Sequence, residues 1–452
     1  MSYSIRAISS RMLGGHTRRG LVTNSLGTMV LRIGSMALGF LATLILARHL
    51  GASGYGVYAW ALAWATVLQL VATLGIDTLT VREVAAQKTL VAWSAMRGLL
   101  QSGPLIALAS SLVISLVVIA AGLAFVPSAE KTTFIIAVAS VPILTLTNIR
   151  EGAMQGLGRV IPSRLPEDLL RPAIFLALLV LGWNVLSLSH NAPIAMALQY
   201  AATFVAFLVG LFLLRRALPA QLSSAVGGIQ ILTWIRLALP FIVLRAINTL
   251  LSQVDTILVG VLRGSTQVAL YATATRVAAL VGIAEFAVNA AFLPVISRLF
   301  TESGVERLRT GAPLVALGGV VLSAIIAAPL IVFAPYVLHF FGSSFDGGVF
   351  ALRILCVSLV LSAISGLNIA LLNMTRHVRA VMIGSGLGLA ANVVLNLLLI
   401  PGHGASGAAV AWLLSVLVWN GILELQVRRT LGISASPLIL IPIAIRKLTT
   451  AS

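Results

Sequence analysis

Apolar residues run along this chain in blocks of about 20, rather than alternating with polar ones at a strand or amphipathic-helix period. A helix rises about 1.5 Å per residue, so a block of that length crosses a hydrocarbon layer of about 30 Å. The pattern predicts an all-α integral membrane protein of about twelve transmembrane helices: 24–48, 57–76, 99–126, 133–154, 169–189, 193–214, 237–262, 268–296, 313–340, 349–373, 380–400 and 405–427. The polar link between the sixth and seventh of these, Arg215 to Arg236, carries Pro219, Ser223, Ser224, Gly227 and Gly228. It divides the chain into an N-terminal six-helix lobe (1–214), an inter-lobe linker (215–236), a C-terminal six-helix lobe (237–427) and a tail (428–452).

The two halves are related. Between Leu31 and Asp77 an apolar helix with one arginine, Arg32, is followed by the turn Leu50-Gly51-Ala52-Ser53-Gly54-Tyr55-Gly56-Val57-Tyr58-Ala59 and a second apolar helix. At one constant spacing, without a gap, Arg32 falls on Arg245, Gly51 on Gly264, Ser53 on Thr266 and Tyr58-Ala59 on Tyr271-Ala272. Such an internal match marks a duplicated unit.

Composition agrees. The chain is 59% hydrophobic and only 9% charged over 452 residues, which excludes a soluble domain. A net charge of +18 would suit nucleic acid, but the distribution points elsewhere. The N-terminus, the even-to-odd loops and the C-terminus hold 23 of the 30 Lys and Arg, and the opposite loops only Arg48, Lys131 and Arg263. Positive residues stay on the cytoplasmic side, so both termini are expected there, with attraction to membrane lipids and no nucleic acid partner. The basic N-terminal segment lacks the apolar core and cleavage site of a secretory signal. Trp183 and Trp234 read as interfacial anchors. Gly152-xxx-Gly156 and Gly384-xxx-Gly388 read as points of close helix packing.

No catalytic constellation emerges. The single cysteine, Cys356, excludes a disulfide framework or a thiolate metal site. The six histidines are scattered, with no His-x-x-x-His spacing, so neither a metal nor a cofactor is expected. A membrane enzyme would want a large outer loop with paired acids, and the predicted outer loops are short. The reading is of a non-enzyme.

What remains is intramembrane charge, which is costly unless it faces a cavity or a partner. The candidates are Arg32, Arg245, Arg276 and Arg353 against Asp255 and Glu285. In an antiparallel hairpin of helices seven and eight, Arg245 is level with Glu285 and Asp255 with Arg276. Arg276 and Glu285 lie on opposite faces of their helix, so at most one pair forms directly. Arg32 has no acid level with it in helix two, and Asp77 lies about one turn too deep. One reading has Arg32 reaching the inner surface or another helix. The functional reading points Arg32 and Arg245 into a water-filled cavity, where planar guanidinium forks bind a diphosphate. Arg276, Asp255 and Glu285 are then candidates for substrate contact or ion coupling. Trp60 and Trp64, one turn apart, are candidates for stacking on sugar rings, against the plainer reading of packing. Asn392 and Asn396 share a face and read as interhelical hydrogen-bonding groups.

Those same segments carry a resemblance. Leu50-Gly51 through Tyr58, with Leu74-Gly75 and Val81-Arg82-Glu83, resembles the N-terminal half of the polysaccharide-biosynthesis (O-antigen, Wzx-type) oligosaccharide flippases. Asn392, Asn396, Ile400-Pro401, Gly404 and Gly407-Ala408-Ala409 are similar to a signature late in their second half. These motifs mark a superfamily that also holds multidrug exporters and peptidoglycan-precursor flippases. The resemblance implies two six-helix lobes in a V around a central cavity, working by alternating access. Its implied cargo is polyprenyl-diphosphate-linked oligosaccharide, moved to the outer leaflet of a bacterial inner membrane, with first-lobe basic residues such as Arg32 serving the diphosphate. A polysaccharide polymerase or glycosyltransferases are the implied protein neighbours. The rival readings are an ion-coupled drug exporter, whose cationic cargo would want acids in the first lobe, a lipid-linked peptidoglycan precursor flippase, and a non-transporting scaffold.

Overall fold

The computed structural model describes residues 15–228, 230–284, 288, 306–363, 366–375, 377–434 and 436. Among these every regular element is helical. In chain order they are α1 (Gly15–Thr73), α2 (Ile76–Thr89), α3 (Trp93–Phe125), α4 (Ser128–Ala139), α5 (Val141–Gly156), α6 (Val160–Leu165), a π-helical turn (Pro166–Leu170) and α7 (Arg171–Asn184). Then follow α8 (Ala192–Ala217), α9 (Gln221–Ser224), α10 (Ile231–Arg263), α11 (Ser265–Ala278), α12 (Glu306–Val332) and α13 (Ala334–His339). A 3-10 turn (Ser343–Gly348), α14 (Val349–Ala363), α15 (Gly366–Met374) and α16 (Val378–Leu431) complete the described chain.

Nine described helical stretches are long and apolar enough to span a membrane. Two of them, in α1 and α16, are each a pair of spans merged across a break, at Gly51 and at Gly404. The run from α6 through the π-helical turn to α7 supplies one more pass, so the described chain accommodates the twelve expected passes. Outward-facing positions such as Leu116, Val117, Phe125 and Leu398 are exposed and apolar, as lipid contact requires.

The expected ten-residue turn around Gly51 is a single residue. Gly51 has φ 66° and ψ −179°, and the helix resumes at Ala52. Its repeat mate Gly264, between α10 and α11, has φ 78° and ψ 178°. That backbone region is essentially closed to residues with a Cβ. A Cβ at either glycine would meet no neighbouring atom, so the constraint is wholly in the backbone. The repeat seen in sequence is therefore a repeat of conformation. Gly404 (φ 55°, ψ −131°) breaks α16 in the same manner, and the helix runs through Pro401 instead of ending there.

Other boundaries move for similar reasons. Helix two does not end at 76: Leu74 and Gly75 break it with positive φ, and α2 carries it on to Thr89. Asp77 thus sits at a helix end, in the first turn of α2, and is 4% exposed. Helices enter the expected 215–236 linker from both sides, α8 reaching Ala217 and α10 starting at Ile231. Between them Arg97 donates Nη1 to the carbonyls of Leu222, Ser223 and Ala225 at 3.1, 2.7 and 2.7 Å, fastening the linker to α3.

Both glycine pairs act as packing points. A Cβ on Gly152 would stand 2.6 Å from the Asp77 carbonyl, and one on Gly156 2.8 Å from that of Val81, so α5 lies directly on the backbone of α2. Gly384 and Gly388 likewise admit Leu423 and Trp419 within α16. Trp183 and Trp234, expected at the interfaces, are instead buried, with Trp183 stacked on His49 at a centroid distance of 4.7 Å.

Candidate functional site: a cavity between the lobes

The first pair of spans, both in α1, packs against α10 and α11 of the second half, and α2 packs against α10. Near the Gly51 and Gly264 breaks the fit is close. Gly56 lies against the Ser265 backbone, and Trp60 packs on Gly260 and donates its indole N–H to the Ile257 carbonyl at 3.4 Å. Tyr55 meets Phe345 at 6.2 Å between ring centroids, and Arg48 donates Nε to the Phe340 carbonyl at 2.9 Å. Trp60 is 8% exposed and Trp64 half-buried, and the two pack on each other and on Phe134. Neither is among the residues that line the central cavity, and both pack at the seam.

Deeper in, the lobes part around a cavity of about 420 Å³. Its first-half wall is Ser35, Met36, Gly39, Thr43, Tyr55, Tyr58 and Thr66, with Arg171 and Phe175 from α7 and Gln199 from α8. The facing wall is Ser252, Gln253 and Thr256 from α10, and Ala272, Thr275, Arg276 and Ala279 from α11. Two guanidiniums enter it, one from each half, and among the described lining residues there is no Asp or Glu. The Arg276 guanidinium lies against Gly39, whose missing side chain leaves room for it. The expected level pair of Arg276 with Asp255 does not form. Asp255 instead accepts from the Tyr271 hydroxyl (2.7 Å) and from Asn396 Nδ2 (2.5 Å). Asn396 also donates to the backbone carbonyl of Asn392 in its own helix at 2.9 Å, so of the two asparagines Asn396 bonds between helices, to a buried carboxylate.

Arg171 was counted with the loop charges in the sequence, and the structure moves it. The run Pro166–Leu170 forms one π-helical turn, which continues directly into α7 and delivers Arg171 to the cavity. Such turns are frequent at functional positions. Glu167 holds Arg171 at 3.3 Å and approaches the buried Arg150 at 3.9 Å, and Arg150 is 3.8 Å from Glu151. Arg150, also counted as a loop charge, is 3% exposed inside α5. The signal in the sequence was the triplet Glu167-Asp168 and Arg171 bracketed by Pro166 and Pro172, too polar for a lipid-facing start of a span.

Arg32 is exposed on α1. It sits three, four and seven residues before Ser35, Met36 and Gly39, which all line the cavity, so it lies on the same helix stripe at the cavity's basic end. Its repeat mate Arg245 does not line the cavity. It pairs with Asp77 across the lobes, in a second cavity of about 500 Å³ on the basic side. Arg353 is exposed and donates to the Ile331 carbonyl at 3.1 Å. Arg245 pairs with Asp77, and Glu285, its expected partner, lies outside the described residues. No group of three His, Cys, Asp or Glu suited to a metal occurs among the described residues.

A two-lobed bundle of membrane helices with a polar cavity at its centre is the architecture of a transporter. Comparison with known proteins gives the family. The sequence profile described as polysaccharide biosynthesis protein matches residues 21–300, and the chain belongs to that family. The MatE profile matches residues 240–398. The chain is similar in fold to the inward-facing conformation of a multidrug resistance MATE family transporter of the MOP superfamily, with TM-score 0.67 and 17% identity over 89% of this chain and 98% of that one. It is also similar to the lipid II flippase MurJ in an inward closed conformation, with TM-score 0.68 and 14% identity over 90% and 87% of the two chains. A third solved neighbour is a MOP superfamily transporter from Pyrococcus furiosus, described as having a binding pocket of reverse polarity (TM-score 0.58, 16% identity, covering 91% and 95%). No curated protein sequence matches the chain. The fold is thus that of the V-shaped, all-α transporters of this superfamily.

Proposed function

We propose that the chain is a flippase for polyprenyl-diphosphate-linked oligosaccharide, moving it from the cytoplasmic to the outer leaflet by alternating access in cell-surface polysaccharide synthesis. One observation carries the reading: the cavity between the lobes takes an arginine from each half, Arg171 and Arg276, and no acid among its described lining residues. Guanidinium is the side chain whose planar fork matches phosphate oxygens. A cationic drug would meet two like charges there, so the exporter reading is disfavoured. Arg32 stands at the cytoplasmic mouth of the same stripe, where it meets the diphosphate on its way into the central cavity.

Solvation divides the work. Neither phosphate nor sugar hydroxyls cross hydrocarbon unpaired, so the headgroup travels in the cavity while the lipid tail stays in the bilayer. Gln199, Ser252, Gln253, Thr256 and Thr275 offer amide and hydroxyl partners to a glycan on the walls beside the arginines. The excess of basic residues in the loops of one side supports a cytoplasmic position for both termini, and in this reading the lobes, 1–214 and 237–427, rock about the 215–236 link. Asp255, buried and hydrogen-bonded only to neutral groups among the described residues, is the candidate to carry a coupling proton or sodium ion. Reconstituted vesicles with fluorescent or enzymatically accessible polyprenyl-diphosphate oligosaccharide test the assignment. Scrambling or directed transfer that needs Arg171 and Arg276 supports it, and equal transfer by empty vesicles overturns it.

A further inference from the structure

The second cavity has a feature that flipping from the central cavity does not use. It lies on the basic side and is lined from the first half by α2 and α5, with Arg164 from α6, and from the second half by Phe241 and Arg245 of α10. Arg82, Arg164 and Arg245 line it against the carboxylates of Asp77 and Glu151, with Thr78, Asn148 and Gln155 as neutral polar groups, so three guanidiniums face two acids. Arg245 and Asp77 form an ion pair across the lobes here. Asp77 is 4% exposed, and its Oδ1 is buried with no hydrogen-bond partner. Beside the pair, Gly75 in a left-handed conformation lets α1 and α2 meet α10 closely: a Cβ there would stand 2.7 Å from the Ala238 carbonyl. The halves therefore meet on this side at an ion pair and a glycine seat, beside the buried cluster of Ile76, Leu79, Trp234 and Ala238 and the Arg82 guanidinium 5.9 Å from the Phe241 ring.

A partly satisfied buried carboxylate is a poor stabiliser, because desolvation offsets most of the attraction. It is also easily outcompeted. A phosphate carries more charge than Asp77 and offers more oxygens to Arg245, with Arg82 and Arg164 on the same cavity wall. We propose that this cavity is a second phosphate site, the entry site for the cargo headgroup, and that phosphate binding there takes Arg245 from Asp77 and so unlatches the lobes on this side. The proposal rests on the flippase reading for the identity of its ligand, but not for the latch itself.

The test uses inorganic pyrophosphate as the probe and the purified full-length protein in lipid nanodiscs. Spin labels at Thr89 and Leu232, both exposed near the basic ends of α2 and α10, report the separation of the lobes by pulsed electron resonance, in a Cys356→Ala background. Pyrophosphate is expected to move most of the short-distance population to longer distances, and sodium chloride at equal ionic strength to leave it in place. Asp77→Asn and Arg245→Gln are expected to show the long distance without pyrophosphate. The exchanged pair Asp77→Arg with Arg245→Asp is expected to restore the short one, which shows that the effect of the single variants is loss of the pair and not of the fold. An unchanged distribution with pyrophosphate, or the same shift with chloride, overturns the site. Long distances retained in the exchanged pair overturn the latch. Transport of lipid-linked glycan with no pyrophosphate response would remove this proposal and leave the flippase standing. A pyrophosphate response without glycan transport would do the reverse.

Discussion

Replacing Arg276 with alanine should weaken the binding of a diphosphate headgroup far more than its size suggests. The guanidinium reaches the central cavity from α11 and rests against Gly39 of α1, so it needs no movement to meet an anion between the lobes. Hydrogen bonds to charged groups contribute about 1.5–3 kcal/mol each. A unit charge pair at about 4 Å contributes about 4 kcal/mol at an effective dielectric of about 20, and about 1 kcal/mol in bulk water. The cavity is open to water and Arg171 remains, so the lower half of that range applies. About 2–3 kcal/mol is a loss of roughly 30- to 150-fold, at about 1.4 kcal/mol for each factor of ten. Arg276→Lys keeps the charge and loses the fork, so it should recover part of that loss but not all of it. The assay is equilibrium binding of a short-chain polyprenyl-diphosphate sugar to detergent-solubilised protein, with a thermal-unfolding control. Arg171→Ala should behave alike, and the double variant should lose less than the sum if both arginines hold one diphosphate. Affinity within twofold of the parent in a well-folded Arg276→Ala would refute the reasoning, since no purely structural role of Arg276 leads to the expected loss.

Three further outcomes follow from the geometry. Gly51→Ala forces a Cβ into φ 66°, ψ −179° and should cost about 1–3 kcal/mol, seen as a lower midpoint in detergent unfolding, whereas Gly402→Ala, at a helical position with open space, should be neutral or slightly stabilising. Trp60→Ala empties the seam against Gly260 and Phe134 and should cost about 3–5 kcal/mol of stability, with glycan-lipid affinity of the folded fraction unchanged; a selective loss of affinity would return Trp60 to the binding site. Asp255→Asn keeps the size and most hydrogen bonds of the buried acid, so it should fold and bind but lose any dependence of transport on a proton or sodium gradient; gradient-driven transport at the parental rate would remove Asp255 from coupling.

Much of this fold was legible because membrane solvation leaves few solutions. An apolar block of twenty residues has to span, and the fixed offset from Gly51 to Gly264 marks a shared conformation. Asn396 was readable as an interhelical hydrogen-bonding group, although its partner Asp255 lies on a helix distant in sequence. What failed to show was contact between the halves. Depth arithmetic along one hairpin compares only sequence neighbours, so it matched Asp255 with Arg276 and passed over Asp77 with Arg245, a pair that exists only once the lobes meet. Arg171 was hidden for another reason. A charged start of a span looks the same as a loop in a hydropathy profile, and only the π-helical turn before it turns the side chain inward. Trp60 and Trp64 had the right spacing for a stacking platform. Spacing does not say which face meets Gly260 and Phe134 and which meets water.

The measurement that tests the central claim most directly is the sidedness of polyprenyl-diphosphate-linked oligosaccharide in inside-out vesicles from cells with and without the protein, read with a membrane-impermeant lectin or glycosidase. The account predicts that loss of the protein traps the glycan on the cytoplasmic face and that the Arg171→Ala, Arg276→Ala double variant, present at normal membrane levels, reproduces the trap. Glycan that crosses equally well in both vesicle populations, in cells with no second flippase, would contradict it.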